Sequence, residues 1–207
     1  MQQLYFVRHG QTELNASNHV QGGQIDSPLL PNSLIDAEKT GRLLRDKKIT
    51  RIITSPQQRA MDTAQLIAKQ FPHEVMIEED PLLKEFGYGE WEGAFIPDLE
   101  ATYVDAFYNL RHMPDRYDPS TFGGETYVEL ISRGTQAVHY HAELHPESDL
   151  LFVGHGILTM ATILTLAGFP LKDIRTQPAL GNTSVSKLVK KGKEFELEMW
   201  NYVGHLD

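Results

Sequence analysis

The chain has 207 residues, no cysteine and a formal net charge of −9 at pH 7. That length suits one α/β domain able to bury its own core, and the lack of cysteine excludes disulfides, thiolate metal sites and cysteine nucleophiles. The acidic balance argues against nucleic-acid or membrane-surface partners, so an anionic substrate would need a local cluster of positive groups to hold it. The chain opens MQQLYFVRHG, with no basic region leading into an apolar stretch, and no apolar run reaches the length of a membrane span. No signal peptide or membrane segment is expected, and the expected location is the cytoplasm.

Leu4-Tyr5-Phe6-Val7 is a short apolar run before Gly10 and reads as a buried strand, as does Arg51 to Thr54. Ala60, Ala64, Ile67, Ala68 and Phe71 recur at helical spacing until Pro72. The stretch from about 94 to 124 holds Pro97, Pro114, Pro119, several aromatic residues and Gly123-Gly124, and is expected to be an inserted cap with some helix. Val128, Ile131, Thr135, Val138 and Ala142 predict a further helix before Pro146. Leu150 to Val153 reads as a third strand, and the apolar run 157–167 as a buried helix. Thr183 to Val189 and Phe195 to Trp200 alternate around Lys190-Lys191-Gly192-Lys193, which predicts a hairpin. Strands alternating with helices give an α/β fold, a three-layer α/β/α sandwich around a mostly parallel sheet, in one domain over 1–207.

In such sheets ligands bind beyond the carboxyl ends of the strands. The first strand ends in Arg8-His9-Gly10, the second leads into a helix carrying Arg59, and the third ends in Gly154-His155-Gly156. Two arginines and two histidines therefore converge on one sheet edge. Guanidinium forks match phosphate oxygens, and a helix opening near Gly156 would present N–H groups to an anion. A neutral imidazole can attack phosphorus in line and carry the phosphoryl group covalently. The leaving alkoxide needs a proton donor, and Glu85 is taken for it. The residues alone do not separate Glu85 from Glu90, Glu92 or Glu125.

Arg8-His9-Gly10-Gln11-Thr12-Glu13-Leu14-Asn15 resembles the RHGxTxxN signature of the histidine phosphatase superfamily, the phosphoglycerate mutase-like proteins. Ser55 to Ala64 resembles its SxxxRAxxTA segment, and Leu83 to Gly93 its LxExxxGxxEG segment. Gly123-Gly124-Glu125, Val153 to Gly156 and Asn182-Thr183-Ser184 follow in the usual order. The resemblance implies that His9 takes the phosphoryl group, that Arg8, Arg59 and His155 hold its oxygens, and that Asn15 adds a contact. It implies Glu85 as acid and then base, with no metal and no cofactor. Gln21, Gly22 and Gly156 are taken as further substrate-binding positions. Leu34 stands where the family often has glycine, and Pro31-Asn32-Ser33 and Gly22-Gly23-Gln24 also depart from its pattern.

The resembling mutases carry a longer insert between the Glu85 and Gly124 segments, with an adjacent arginine pair for a carboxylate. Here that stretch is short and Arg111 and Arg116 are not adjacent. Hydrolysis of a small phosphorylated metabolite is therefore the expectation, with phosphoglycerate mutation as the alternative. A non-catalytic phospho-ligand sensor is a third reading, disfavoured by the intact His9, Arg59, Glu85 and His155. Tyr103, Phe107, Tyr108 and Trp91 are expected to wall the pocket. Arg111 and Arg116 are equally well read as holders of a second anionic group or as solvated surface. His139, His141 and His145 read as a solvated helix face, with no third ligand at a metal-binding spacing. The oligomeric state stays open, a homodimer among the options.

Overall fold

Leu4 and Phe6 of the first strand belong to one apolar cluster and Tyr5 and Val7 to another, so alternate side chains leave the sheet on opposite faces and both faces are covered. The computed structural model describes residues 1–207. In chain order the elements are β1 (Gln2–Arg8), α1 (Glu13–Ala16), α2 (Pro31–Leu44), β2 (Ile49–Thr54), α3 (Gln58–Ala68) and β3 (Met76–Glu79). Then come α4 (Ile96–Thr102), α5 (Val104–His112), α6 (Tyr127–Leu144), β4 (Asp149–Gly154), α7 (Gly156–Leu166), β5 (Val185–Lys191) and β6 (Glu194–Tyr202). No helix is long and apolar enough to cross a membrane.

The six strands form one sheet in the order β3-β2-β4-β1-β5-β6. The first four are mutually parallel; at one edge β5 pairs antiparallel with β1, and β6 pairs antiparallel with β5. In-register pairing of Arg8 with Gly154 and of Thr54 with Val153 brings the carboxyl ends of β1, β4 and β2 side by side. That juxtaposition is what the sheet contributes to the site.

The mostly parallel sheet between helices matches expectation, and α4 and α5 give the 94–124 cap its helical character. Several details differ. The helix after β2 ends at Ala68, ahead of Pro72, and the hairpin turns tightly at Gly192, whose φ of +65° suits glycine. The sheet has an outer strand, β3, that the sequence pattern did not announce: its four residues read exposed, half-buried, half-buried, exposed and include two glutamates. Helix α2 was also unforeseen. Pro31 opens it at a first-turn position, where a missing N–H costs nothing, and it buries small residues such as Ala37, Thr40 and Gly41. The unusual Pro31-Asn32-Ser33 segment is therefore a helix start.

One face of the sheet is packed by α2 and α3, the other by α6, α7 and the cap. Helices α6 and α7 approach each other closely at Gly134, where a Cβ would lie 2.1 Å from Thr162 Oγ1 and 3.0 Å from Leu158 Cδ1. Gly134→Val is expected to lower the unfolding free energy by about 1–3 kcal/mol through overpacking, read from urea titration. An unchanged midpoint would contradict this close crossing.

Candidate active site

His9 follows β1 directly, and its N–H donates to Gly154 O of β4 at 2.9 Å, which anchors the residue across the parallel pair. Its ring is 3% exposed as a residue and is fixed at both nitrogens. Nδ1 lies 2.7 Å from Gly10 O, and Arg59 Nε lies 3.3 Å from Nε2. A carbonyl can only accept and a guanidinium can only donate. Nδ1 therefore carries the proton, and Nε2 presents its lone pair. Asn182 Nδ2 donates to His9 O at 2.9 Å, and Gly10 N donates to Thr63 Oγ1 at 3.1 Å.

His155, the N-cap of α7, is fully buried with its ring centroid 5.2 Å from that of His9. Neither of its ring nitrogens has a protein partner, and Arg8 Nε is likewise buried without one. Buried polar groups left unpaired in a protein interior cost free energy, and here they cluster where the phosphoryl group is expected. Both imidazoles are pushed well below the ordinary histidine range. For His9 the causes are burial, then Arg59 and Arg8; for His155 they are burial, then Arg59, His9 and further arginines.

Arg59 is 1% exposed, and four of its N–H groups are spent inside the protein. Besides His9, Nη1 reaches Ile25 O at 3.0 Å and Asp26 Oδ1 at 2.9 Å, and Nη2 reaches Gly22 O at 3.0 Å. It ties the loop 22–26 to His9. Arg8 is half-buried; Nη1 donates to Leu180 O at 2.7 Å, and the residue lines a cavity of about 230 Å³.

Glu85 sits where the sequence placed the anion. Its Oε1 accepts from Phe86 N at 2.8 Å and Leu158 N at 3.0 Å, and its Oε2 from Ile157 N at 3.1 Å. The first N–H groups of α7 thus hold a side-chain carboxylate, which corrects the expectation that they are free for a ligand. Of the four competing glutamates, only Glu85 lines the cavity. Glu92 accepts from Gln24 N and Ile25 N, Glu125 pairs with Arg133 at 2.6 Å, and Glu90 is exposed.

Arg8, Asn15, Gln21, Glu85 and Gly156 line the cavity, and His9, Arg59 and His155 lie buried behind it. Asn15 also closes the Thr12 capping box of α1. Gly22 does not line the cavity; its carbonyl accepts from Arg59 and Gln57. It is glycine because a Cβ there would lie 2.5 Å from Glu92 Oε1 and 2.6 Å from Phe86 O. Trp91 and Phe107 line the cavity, but Tyr103 and Tyr108 do not; Arg111 does and Arg116 does not. Sequence reasoning missed Arg175, which lines the cavity from an irregular stretch after α7. It also missed Arg133, whose guanidinium donates to the carbonyls of Leu82, Lys84 and Glu85 and so holds the segment carrying the carboxylate.

One histidine of α6 departs from expectation. His139 is exposed, but His141 is 2% exposed and so not solvated, and β3 brings Glu78 to within 4.0 Å of it.

A sequence profile described as "Histidine phosphatase superfamily (branch 1)" matches residues 4–203. A Serratia proteamaculans protein named "Probable phosphoglycerate mutase GpmB" is 35% identical over 188 residues, covering 91% of this chain and 85% of that one. A Hydrogenobacter thermophilus protein named "Putative phosphoserine phosphatase 2" is 27% identical over 209 residues, covering 99% and 98%. Among solved structures, Bacillus stearothermophilus YhfR superposes with a TM-score of 0.93 at 28% identity, covering 100% of both chains.

Depressed imidazoles make stability depend on pH. The unfolded chain takes up protons near 6.5 and the folded chain does not, so stability is complete above 6.5 and falls as pH drops below it. Each imidazole contributes a slope of about 1.4 kcal/mol per pH unit in that window. His9→Asn is expected to flatten the slope of urea-derived stability between pH 6.5 and 5 by that amount; an unchanged slope would mean that His9 titrates normally.

Proposed function

This chain belongs to the histidine phosphatase superfamily, branch 1, and from that premise we propose that it hydrolyses carboxylate-bearing phosphomonoesters through a phosphohistidine on His9. The observation that carries the reading is the pinned ring of His9, with Nδ1–H on Gly10 O and the Nε2 lone pair beside Arg59. Nε2 attacks phosphorus, and the bond to the ester oxygen breaks. Arg8, the last free N–H of Arg59 and His155 surround the equatorial oxygens and stabilise their charge. The 3.3 Å contact from Arg59 to Nε2 is long enough to pass to a phosphoryl oxygen as the lone pair engages. The Glu85 carboxylate receives the acidic proton of the phosphate monoanion as the ester binds and passes it to the departing alkoxide. Water then attacks the phosphohistidine, Glu85 takes the proton of that water, and His9 is restored as phosphate leaves.

Arg175 supports the carboxylate. It makes no ion pair; Nε donates to Arg111 O at 3.3 Å, and Nη1 lies 3.6 Å from Met160 Sδ. Arg111 beside it packs over Phe107 at 4.5 Å and pairs loosely with Glu100 at 3.7 Å. A second anionic group on the substrate fits a cavity whose lining holds Arg111 and Arg175 as well as Arg8, among apolar side chains. The names of the two relatives, one for phosphoglycerate and one for phosphoserine, point to substrates with that feature.

His9→Ala is expected to abolish turnover of every ester while leaving the far-ultraviolet circular dichroism intact; residual turnover at a wild-type rate would overturn the mechanism. Glu85→Gln should slow alkyl phosphates far more than p-nitrophenyl phosphate, because only the poor leaving group needs the proton. Arg175→Ala should raise KM for phosphoserine and 3-phosphoglycerate about tenfold or more, the worth of a charged hydrogen bond, and leave p-nitrophenyl phosphate unaffected. Isomerisation of phosphoglycerates faster than phosphate release would favour the mutase instead.

A further inference from the structure

Away from this cavity, the outer strand β3 and the last turn of α6 bring together three groups that no step above uses. His141 lies in the last turn of α6, His145 is the residue that caps its C-terminus, and Glu78 faces them from β3. Their potential ligand atoms all lie within 4.8 Å of one another. His141 Nε2 lies 3.0 Å from Asp80 Oδ2 in a buried contact. A carboxylate accepts that proton, which leaves the lone pair on His141 Nδ1. That nitrogen is buried, has no hydrogen-bonding protein partner, and faces Glu78 Oε1 at 4.0 Å. His145 Nε2 is buried and unpartnered as well.

Two unpaired ring nitrogens converging with a carboxylate, one ring held from behind by a second carboxylate, is the pattern of a histidine–carboxylate metal centre. We propose that Glu78, His141 and His145 bind a divalent transition-metal ion of the zinc type, with water completing four-coordination. Two imidazoles and one carboxylate suit zinc and are too poor in oxygen for calcium or magnesium. Closing the ligands to the usual distance of about 2.0–2.2 Å draws the side chains together by roughly an ångström. The Glu78 side chain is 42% exposed, which gives it room to move and the ion a way in. Arg51 on the neighbouring strand β2 acts on His145 more strongly than Glu78, which opposes it, and the carboxylates of Glu78 and Asp80 both face His141.

The ion would clamp the short edge strand β3 to α6. Its effect reaches further through Asp80, whose Oδ1 accepts from Leu82 N at 2.9 Å and caps the 3-10 turn Pro81–Leu83 ahead of Glu85. The site is structural, remote from the cavity lining, and independent of the phosphatase reading.

The test uses the full chain, stripped with chelator, reloaded with Zn²⁺ or Co²⁺ and dialysed. One equivalent of metal is expected, with the visible absorption of four-coordinate Co²⁺ and a higher melting temperature in Zn²⁺. His145→Ala and Glu78→Gln should each lose the ion, the spectrum and the thermal shift. His141 is left in place because its buried ring also serves packing. His9→Asn should retain all three signals. No retained metal, metal retained unchanged by both His145→Ala and Glu78→Gln, or metal lost in His9→Asn would each overturn the assignment, the last by placing the ion in the phosphoryl pocket.

Discussion

A guanidinium without solvent must find acceptors inside the protein, and Arg59 finds them in a loop, a carboxylate and an imidazole at once. Its side chain is 0% exposed, so a missing partner would leave a buried donor unpaired. That requirement fixes where the loop 22–26 can run and which nitrogen of His9 can hold a proton. Helix α3 delivers the guanidinium because it begins directly after β2, and β2 lies one strand away from β1 across β4. Sheet register, the helix start and the tautomer of one ring are therefore parts of the same constraint.

Charge is confined in the same way. A chain with net charge −9 keeps cations beside the cavity by burying them and pairing them sparingly. Asp26 answers Arg59, and no carboxylate hydrogen-bonds to Arg8. The opposing charge comes from Glu85, which is itself held by the N–H groups of Ile157 and Leu158 and by its own segment's attachment to Arg133. The positive end of α7 and the neighbouring guanidiniums thus act on one carboxylate in the cavity lining. Asn182 adds a bond to the carbonyl of His9, and Thr183 beside it holds an unusual φ of +56° while its N–H reaches Arg8 O. Such backbone strain persists only where surrounding contacts impose it.

Much of this was legible in the sequence because the chemistry lies at strand ends. Apolar runs ending in Arg8-His9 and Gly154-His155 announce both a buried parallel strand and the edge from which side chains emerge. Arg59 was legible from its place after Ser55 and Pro56. Other features left no periodic trace. Strand β3 is short, acidic and at the sheet edge, so it has no apolar alternation to read. Helix α2 buries alanine, threonine and glycine, which a hydrophobic pattern does not register. Arg175 lies in an irregular stretch where only tertiary packing aims a side chain. Residue chemistry alone did not separate Glu85 from its neighbours, and only the family resemblance singled it out; its contact with the α7 N-terminus is a long-range fact that local sequence does not contain. The burial of His141 was hidden for the same reason, since its partners Glu78 and Asp80 sit on the unforeseen strand and just beyond it.

The central claim is that Nε2 of His9 becomes covalently phosphorylated during turnover. Rapid acid-free quenching of the enzyme with excess labelled phosphomonoester, followed by peptide mapping, reads this directly. The account predicts a single phosphoryl group on the peptide containing His9, lost in acid and stable in alkali. Label on a serine or threonine peptide, or full turnover with His9 never modified, would contradict it.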